Sequence, residues 1–162
     1  MARLIERLDR LIAGVIASAS WLSLPLVVLL FLQWPLRDLV RAYSREANDL
    51  GQIVFALYVA VSVTAATRAG THLAADTLAQ RYSVRTRHWL RKVGVVVSLV
   101  PWALFLLVAS KAIIVSSVML LEAFPDTFNP GYYLIKLALW LMAALILVQA
   151  AIDLARPLPR GD

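Results

Sequence analysis

The chain has 162 residues, 61% hydrophobic and only 16% charged, with a formal net charge of +6 and no cysteine. A soluble domain is roughly 45–50% apolar and about 25% charged, so this composition, with a mean hydropathy of +0.76, excludes an ordinary soluble fold. The lack of cysteine excludes a disulfide framework, a thiolate metal site and a thiol nucleophile.

The apolar residues fall in four blocks, each about long enough to cross a bilayer as a helix. The expected fold is therefore an all-α membrane protein of four transmembrane helices with interfacial amphipathic arm helices. All of residues 1–162 form a single membrane domain. In such a chain an excess of Lys and Arg reports topology, and no nucleic-acid partner is expected.

The first ten residues are rich in charge (Arg3, Glu6, Arg7, Asp9, Arg10). The apolar block after them is too long for the hydrophobic region of a signal peptide and reads as a retained first span over about 11–34. Pro25 inside it predicts a kink, and Trp34 suits an interfacial belt. Between Pro35 and Asp49 the charges cancel, and Leu36, Leu39, Val40 and Tyr43 recur at helical spacing, which predicts a short surface helix. Glu46 and Asp49 precede the second span. Asp49 is placed to cap it, and Arg41 and Arg45 are placed to neutralise the pair.

The second span, about 50–67, is short. Ser62, Thr64, Ala65, Ala66 and Thr67 cluster at its end, which favours close helix packing. A basic arm follows over 68–92, with Arg68, Arg81, Arg85, Arg87, Arg91 and Lys92 against Asp76 alone. It reads as one or two amphipathic helices, with Ser83 as the N-cap of the second. Arg68, His72 and Asp76 share one helical face at i, i+4, i+8. One His and one Asp are too few for a closed metal site, so the set reads as an interfacial anchor. Gly70 gives the chain freedom to turn there.

The third span covers about 93–121, with Lys111 near the far interface, where its stem can snorkel. The stretch 122–131 is rich in turn residues, and Gly131 supplies the turn into the fourth span, about 132–154. Lys111 and Lys136 are read as the only charges within the apolar blocks, and pairing with Glu122 or Asp126 is open to them. Pro157 and Pro159 end the last helix. With the N-terminus inside, eleven Lys/Arg lie on the cytoplasmic side and three outside, so both termini are expected to be cytoplasmic. No Walker loop, dinucleotide fingerprint, zincin motif or nucleophile elbow is present, which gives enzymatic function little support.

Two stretches carry a family resemblance. Residues 46–76, EANDLGQIVFALYVAVSVTAATRAGTHLAAD, place an acidic cluster before a span and then Arg68, Gly70, His72, Leu73 and Asp76 before the basic arm. Asn129-Pro130-Gly131-Tyr132-Tyr133-Leu134-Ile135-Lys136 leads into a last span that ends with Leu147-Val148-Gln149. From about residue 8 to 155 the chain resembles the small membrane subunit, DctQ-like, of tripartite ATP-independent periplasmic (TRAP) transporters. It departs from many members in lacking a Trp followed by paired Glu before the second span; Tyr43-Ser44-Arg45-Glu46-Ala47-Asn48-Asp49 stands there. The 122–131 loop looks closer to members handling monocarboxylate-like or aromatic acids than to the C4-dicarboxylate branch.

The resemblance implies a multi-pass protein of the bacterial inner membrane that scaffolds a large membrane subunit and helps dock a periplasmic substrate-binding protein. No cofactor is expected on this chain, sodium coupling being implied for the large subunit. Glu46, Asp49, Arg68, Gly70, His72, Asp76, Lys111 and Lys136 become candidates for partner contact. The alternative is a stand-alone oligomeric four-span channel or small exporter, for which the apolar blocks offer only Ser, Thr and Gln as pore lining.

Overall fold

Apolar segments of bilayer length can satisfy their backbone groups away from water only by coiling on themselves. In the computed structural model, which describes residues 2–39, 44–69 and 82–155, all the long elements are helices. Among the described residues four helical stretches are long and apolar enough to cross a membrane: Arg3–Pro35, Arg45–Ala69, Arg85–Ala109 and Tyr132–Ala155.

The first span is two helices, α1 (Ala2–Ser20) and α2 (Ser23–Leu39), parted by a turn at Trp21 and Leu22. The expected kink is thus present, and it lies where Pro25 puts it. In a straight helix the Pro25 ring would meet the carbonyl four residues earlier, that of Trp21, and Pro25 has no N–H to bond it. The Trp21 carbonyl instead accepts from Leu24 N–H at 3.3 Å, and the Ser23 hydroxyl caps the Ser20 carbonyl at 2.7 Å. The separate surface helix expected after Pro35 is not seen as such. α2 runs on through Pro35 to Leu39, while Val40 and Tyr43 lie outside the described residues.

The second span, α3 (Arg45–Ala69), starts well before its apolar run. Ser44, not Asp49, caps it: the Ser44 hydroxyl accepts from Ala47 N–H at 3.1 Å. Asp49 cannot be the cap because it already lies a full turn inside the helix. Ser83 caps α4 (Val84–Gly94) as expected, accepting from Thr86 N–H at 3.2 Å.

α4 is continuous with the third span rather than a separate arm helix. It passes through a wide π turn, Val95–Leu99, into α5 (Val100–Ala109) and, after Ser110, α6 (Lys111–Met119). The π turn immediately precedes Pro101, whose ring would otherwise press on the carbonyl of Val97. The last span is α7 (Tyr132–Ala155).

The spans stand in a row rather than a closed bundle. α3 and α7 form the most extensive pair. α1 and α2 pack on α3, α1 also reaches α7, and the third span packs on α7. Among the described residues no comparable contact joins the first span to the third. Burial follows this order: 28% and 33% of the most apolar windows of the second and fourth spans are buried, against 11% for the first and third. Ala103, Ala143 and Ile146 form the tightest cluster, with Val63, Leu99 and Met142 against it. The two alanines let the third and fourth helices approach closely, as membrane packing favours.

Candidate functional site

Polar side chains gather at the two ends of the row. At one end the 122–131 segment folds back across the tops of α3 and α7. Ala123 and Pro130 form an isolated antiparallel bridge, and Phe124 N–H bonds the Asn129 carbonyl at 2.8 Å. Closing so short a loop needs left-handed backbone, at Leu121 (φ 47°), Phe128 (φ 59°) and Gly131 (φ 136°). The buried Phe124 ring meets Tyr132 edge-to-face, centroids 5.4 Å apart, and seats the loop on α7.

Two carboxylates fasten this loop. Asp49 of α3, only 7% exposed, accepts hydrogen bonds from the Thr127 hydroxyl and, at 3.5 Å, from the Asn129 amide. Arg45, Asn48, Asp49, Asp126 and Thr127 line a polar hollow beside it. Glu122 accepts from the Lys136 ammonium and the Ser117 hydroxyl, joining α6, the loop and α7. These bonds, Lys136 first and Ser117 second, hold the Glu122 carboxyl below its ordinary range. The Lys136 ammonium also lies 5.2 Å from the Tyr132 ring centre.

The other end is basic. Arg68, at the end of α3, grips Asp9 of α1 with both nitrogens, Nη1 to Oδ1 at 2.9 Å and Nη2 to Oδ2 at 3.0 Å. Such a fork fixes orientation as well as distance. Arg91 of α4 reaches Asp153 of α7 at 3.4 Å, and Lys92 donates to the Leu154 carbonyl at 2.9 Å. The fully buried Gln149 donates from Nε2 to Asp153 Oδ1 at 3.1 Å. α1 is thus tied to α3 and α4 to α7 at the basic end, while at the loop end α3 and α7 are each tied to the 122–131 segment. Within the third and fourth spans, Trp140 Nε1 donates to the Ser110 hydroxyl at 3.0 Å.

The candidate residues divide between these ends. Asp49 and Lys136 lie in the loop-end contacts, and Arg68 in a basic-end clamp. Glu46 sits exposed on the first turn of α3, where the Ser44 hydroxyl donates to it at 3.1 Å. Lys111 is exposed at the start of α6. Gly70, His72 and Asp76 lie outside the described residues, and with them the i, i+4, i+8 face begun by Arg68. Of the pairings left open for Lys136, the one with Glu122 forms.

The reading of Lys111 and Lys136 as the only charges in the apolar blocks is corrected by Asp153. That residue lies in the last turns of α7 and is 7% exposed. Its signal in the sequence is the position four residues after Gln149, one helical turn along the same face. Asp9 and Thr127 carry no comparable local signal.

Among the described residues no cluster of three His, Cys, Asp or Glu could hold a metal ion. The arrangement does mechanical work: it ties helices together at their ends and leaves broad apolar faces outward, with Phe31, Phe105, Val108 and Ile113 all more than half exposed. Exposed apolar side chains in that number on helices of membrane-spanning length mark contact with lipid or with other protein.

The family model described as the DctQ component of tripartite ATP-independent periplasmic transporters matches residues 6–160. No curated protein and no solved structure matches the chain. A match over nearly the whole length, on a fold of four apolar helices, shows that the chain belongs to the DctQ family: it is a multi-pass small membrane subunit of a TRAP transporter, and not an enzyme.

Proposed function

We propose that this chain is the scaffold of a sodium-coupled TRAP transporter for organic acids in the bacterial inner membrane. It holds the large, substrate-carrying subunit and offers the loop end to the substrate-binding protein, with both termini cytoplasmic. The observation that carries this reading is the row itself, fastened at both ends while only 11% of the most apolar windows of its two outer spans is buried. Fastened ends resist the sliding that a moving carrier element needs, and open apolar flanks suit attachment to a larger membrane protein.

The positive charge at the end where α1 begins and α7 finishes supports the orientation. The loop end carries Glu46, the Asp49 hollow and the 122–131 fold, a polar, shaped surface suited to a soluble partner.

The test is co-expression with its large TRAP membrane subunit, mild-detergent purification and sodium-driven uptake in proteoliposomes. The expected outcome is a stable complex in which uptake requires both chains and the binding protein. Flux from this chain alone, or purification that never brings the large subunit, overturns the proposal.

A further inference from the structure

α4 brings an unusual concentration of charge to the mouth of the third span. Arg85 and Arg87 are exposed, and neither makes an ion pair with any described residue. The described acids at this end are engaged elsewhere: Asp9 by Arg68, Asp153 by Arg91 and Gln149, and Glu6 by Arg10 at 3.7 Å. Charge near Arg85 and Arg87 is thus left unbalanced by the described part of the chain.

The helix geometry gives this charge a shape. Val95 is buried and His88 half-buried, so the face holding them turns inward. Thr86, Leu90, Val93 and Val97, at i, i+4, i+7 and i+11, form one stripe on the opposite face. Leu90 is 46% and Val97 69% exposed. Arg85 and Arg87 stand on either side of this stripe at its outer end, and Trp89, 62% exposed, lies beside it on the Arg85 flank. Beyond Arg91 and Lys92, about a turn further along, the helix is apolar enough to lie in the membrane. The stripe therefore offers two cations and a hydroxyl at headgroup depth, an interfacial indole, and an apolar track continuing inward.

We propose that this stripe binds an anionic phospholipid, its phosphate between Arg85 and Arg87 and an acyl chain along Leu90 and Val97. Charge complementarity selects the anionic headgroup over a zwitterionic one, because no carboxylate among the described residues pairs with either cation. The continuous apolar track selects a lipid over a free phosphate ion. Such a lipid would fasten the third span, one of the two outer spans of the row and among its least buried, at a fixed depth.

The purified protein, with its large subunit where the two remain together, is delipidated and titrated with phosphatidylglycerol or phosphatidylcholine in native mass spectrometry. Each arginine near an anionic surface is worth about fivefold in binding, so the R85Q/R87Q pair is expected to weaken the tightest phosphatidylglycerol adduct roughly 30-fold. Phosphatidylcholine binding is expected to stay unchanged, and R85K/R87K to restore the phosphatidylglycerol adduct. L90Q is expected to weaken the adduct as well, and inorganic phosphate alone to form none. Equal retention of the two lipids, an unchanged adduct in R85Q/R87Q, phosphate binding without lipid, or a stripe covered by the large subunit in the complex each overturns the proposal.

Discussion

The clamp between Arg91 and Asp153 is lopsided, and that lopsidedness makes a signed prediction. The Arg91 side chain keeps 49% of its surface, whereas Asp153 keeps 7%. Replacing Asp153 with Asn leaves the guanidinium close enough to the surface to find water or a headgroup, and still offers Gln149 Nε2 an acceptor. The cost is that of one half-exposed ion pair, about 1 kcal/mol. Replacing Arg91 with Gln takes the guanidinium away from a carboxylate that stays shut in. Losing one partner of a fully buried pair costs roughly 3–5 kcal/mol. Half-exposure of Arg91, and Lys92 bonded next door at Leu154, bring the expected figure down to about 2–3 kcal/mol. The R91Q/D153N double variant removes the buried carboxylate together with its Arg91 partner, so it is expected to be more stable than R91Q alone, with a coupling of at least about 1 kcal/mol. Reversible unfolding in mixed micelles reads these differences directly. The reasoning fails if D153N costs as much as R91Q, or if the two changes simply add.

At the loop end, Glu122 predicts a pH response. Its carboxyl is held below the ordinary value of 4.5 in the folded chain, so between that value and the lowered one the unfolded chain binds more protons. Stability from this group is full above the ordinary value and fades as pH falls through the lowered one; E122Q should flatten that acid limb of a thermal-unfolding series. D49A removes the acceptor for Thr127 and Asn129 and should cost about 1–3 kcal/mol, with faster hydrogen exchange across 123–131 and D49N recovering part of the loss. G131A puts an L side chain at φ 136° and should cost about 1–3 kcal/mol. Its methyl would meet only ordinary contacts at 3.5 Å to Ile53 and Phe124, so the loss should show in unfolding without rearrangement of the loop.

What the sequence disclosed follows from how local each signal is. Hydropathy depends on single side chains meeting lipid, so the number of spans and the bounds of the last one were readable, 132–154 against the observed Tyr132–Ala155. The break before Pro25 was readable because the steric cause lies within four residues. Helix ends were not, because hydropathy marks where lipid begins rather than where helix stops. Arg, Lys and Glu are good helix formers, so α1 starts at Ala2 and α3 at Arg45, in charged stretches that hydropathy assigns to loops, whereas the start of α4 at Val84 was marked locally by the Ser83 cap. The clamps were least accessible. Arg91 is 62 residues from Asp153, and Thr127 is 78 from Asp49. Such pairs exist only once the order of the row is known, and one sequence does not fix that order.

The row also explains why this chain has so little polar chemistry between its ends. Fully buried Thr64 turns its hydroxyl back to the Ala60 carbonyl of its own helix, at 3.2 Å, rather than toward a neighbour or a passage. Ser110 likewise bonds back to Leu106 and is met by Trp140. Hydroxyls bonded in this way to their own helix are turned away from neighbouring spans, whereas conduction of an ion calls for polar groups facing one another across a path. The end clamps then have a clear purpose. A single layer of four helices has none of the mutual closure of a bundle, and in lipid no hydrophobic drive holds its edges together. Polar ties at the interfaces, where water weakens them but geometry keeps them specific, let such an open layer keep one shape and leave its faces free for a larger partner.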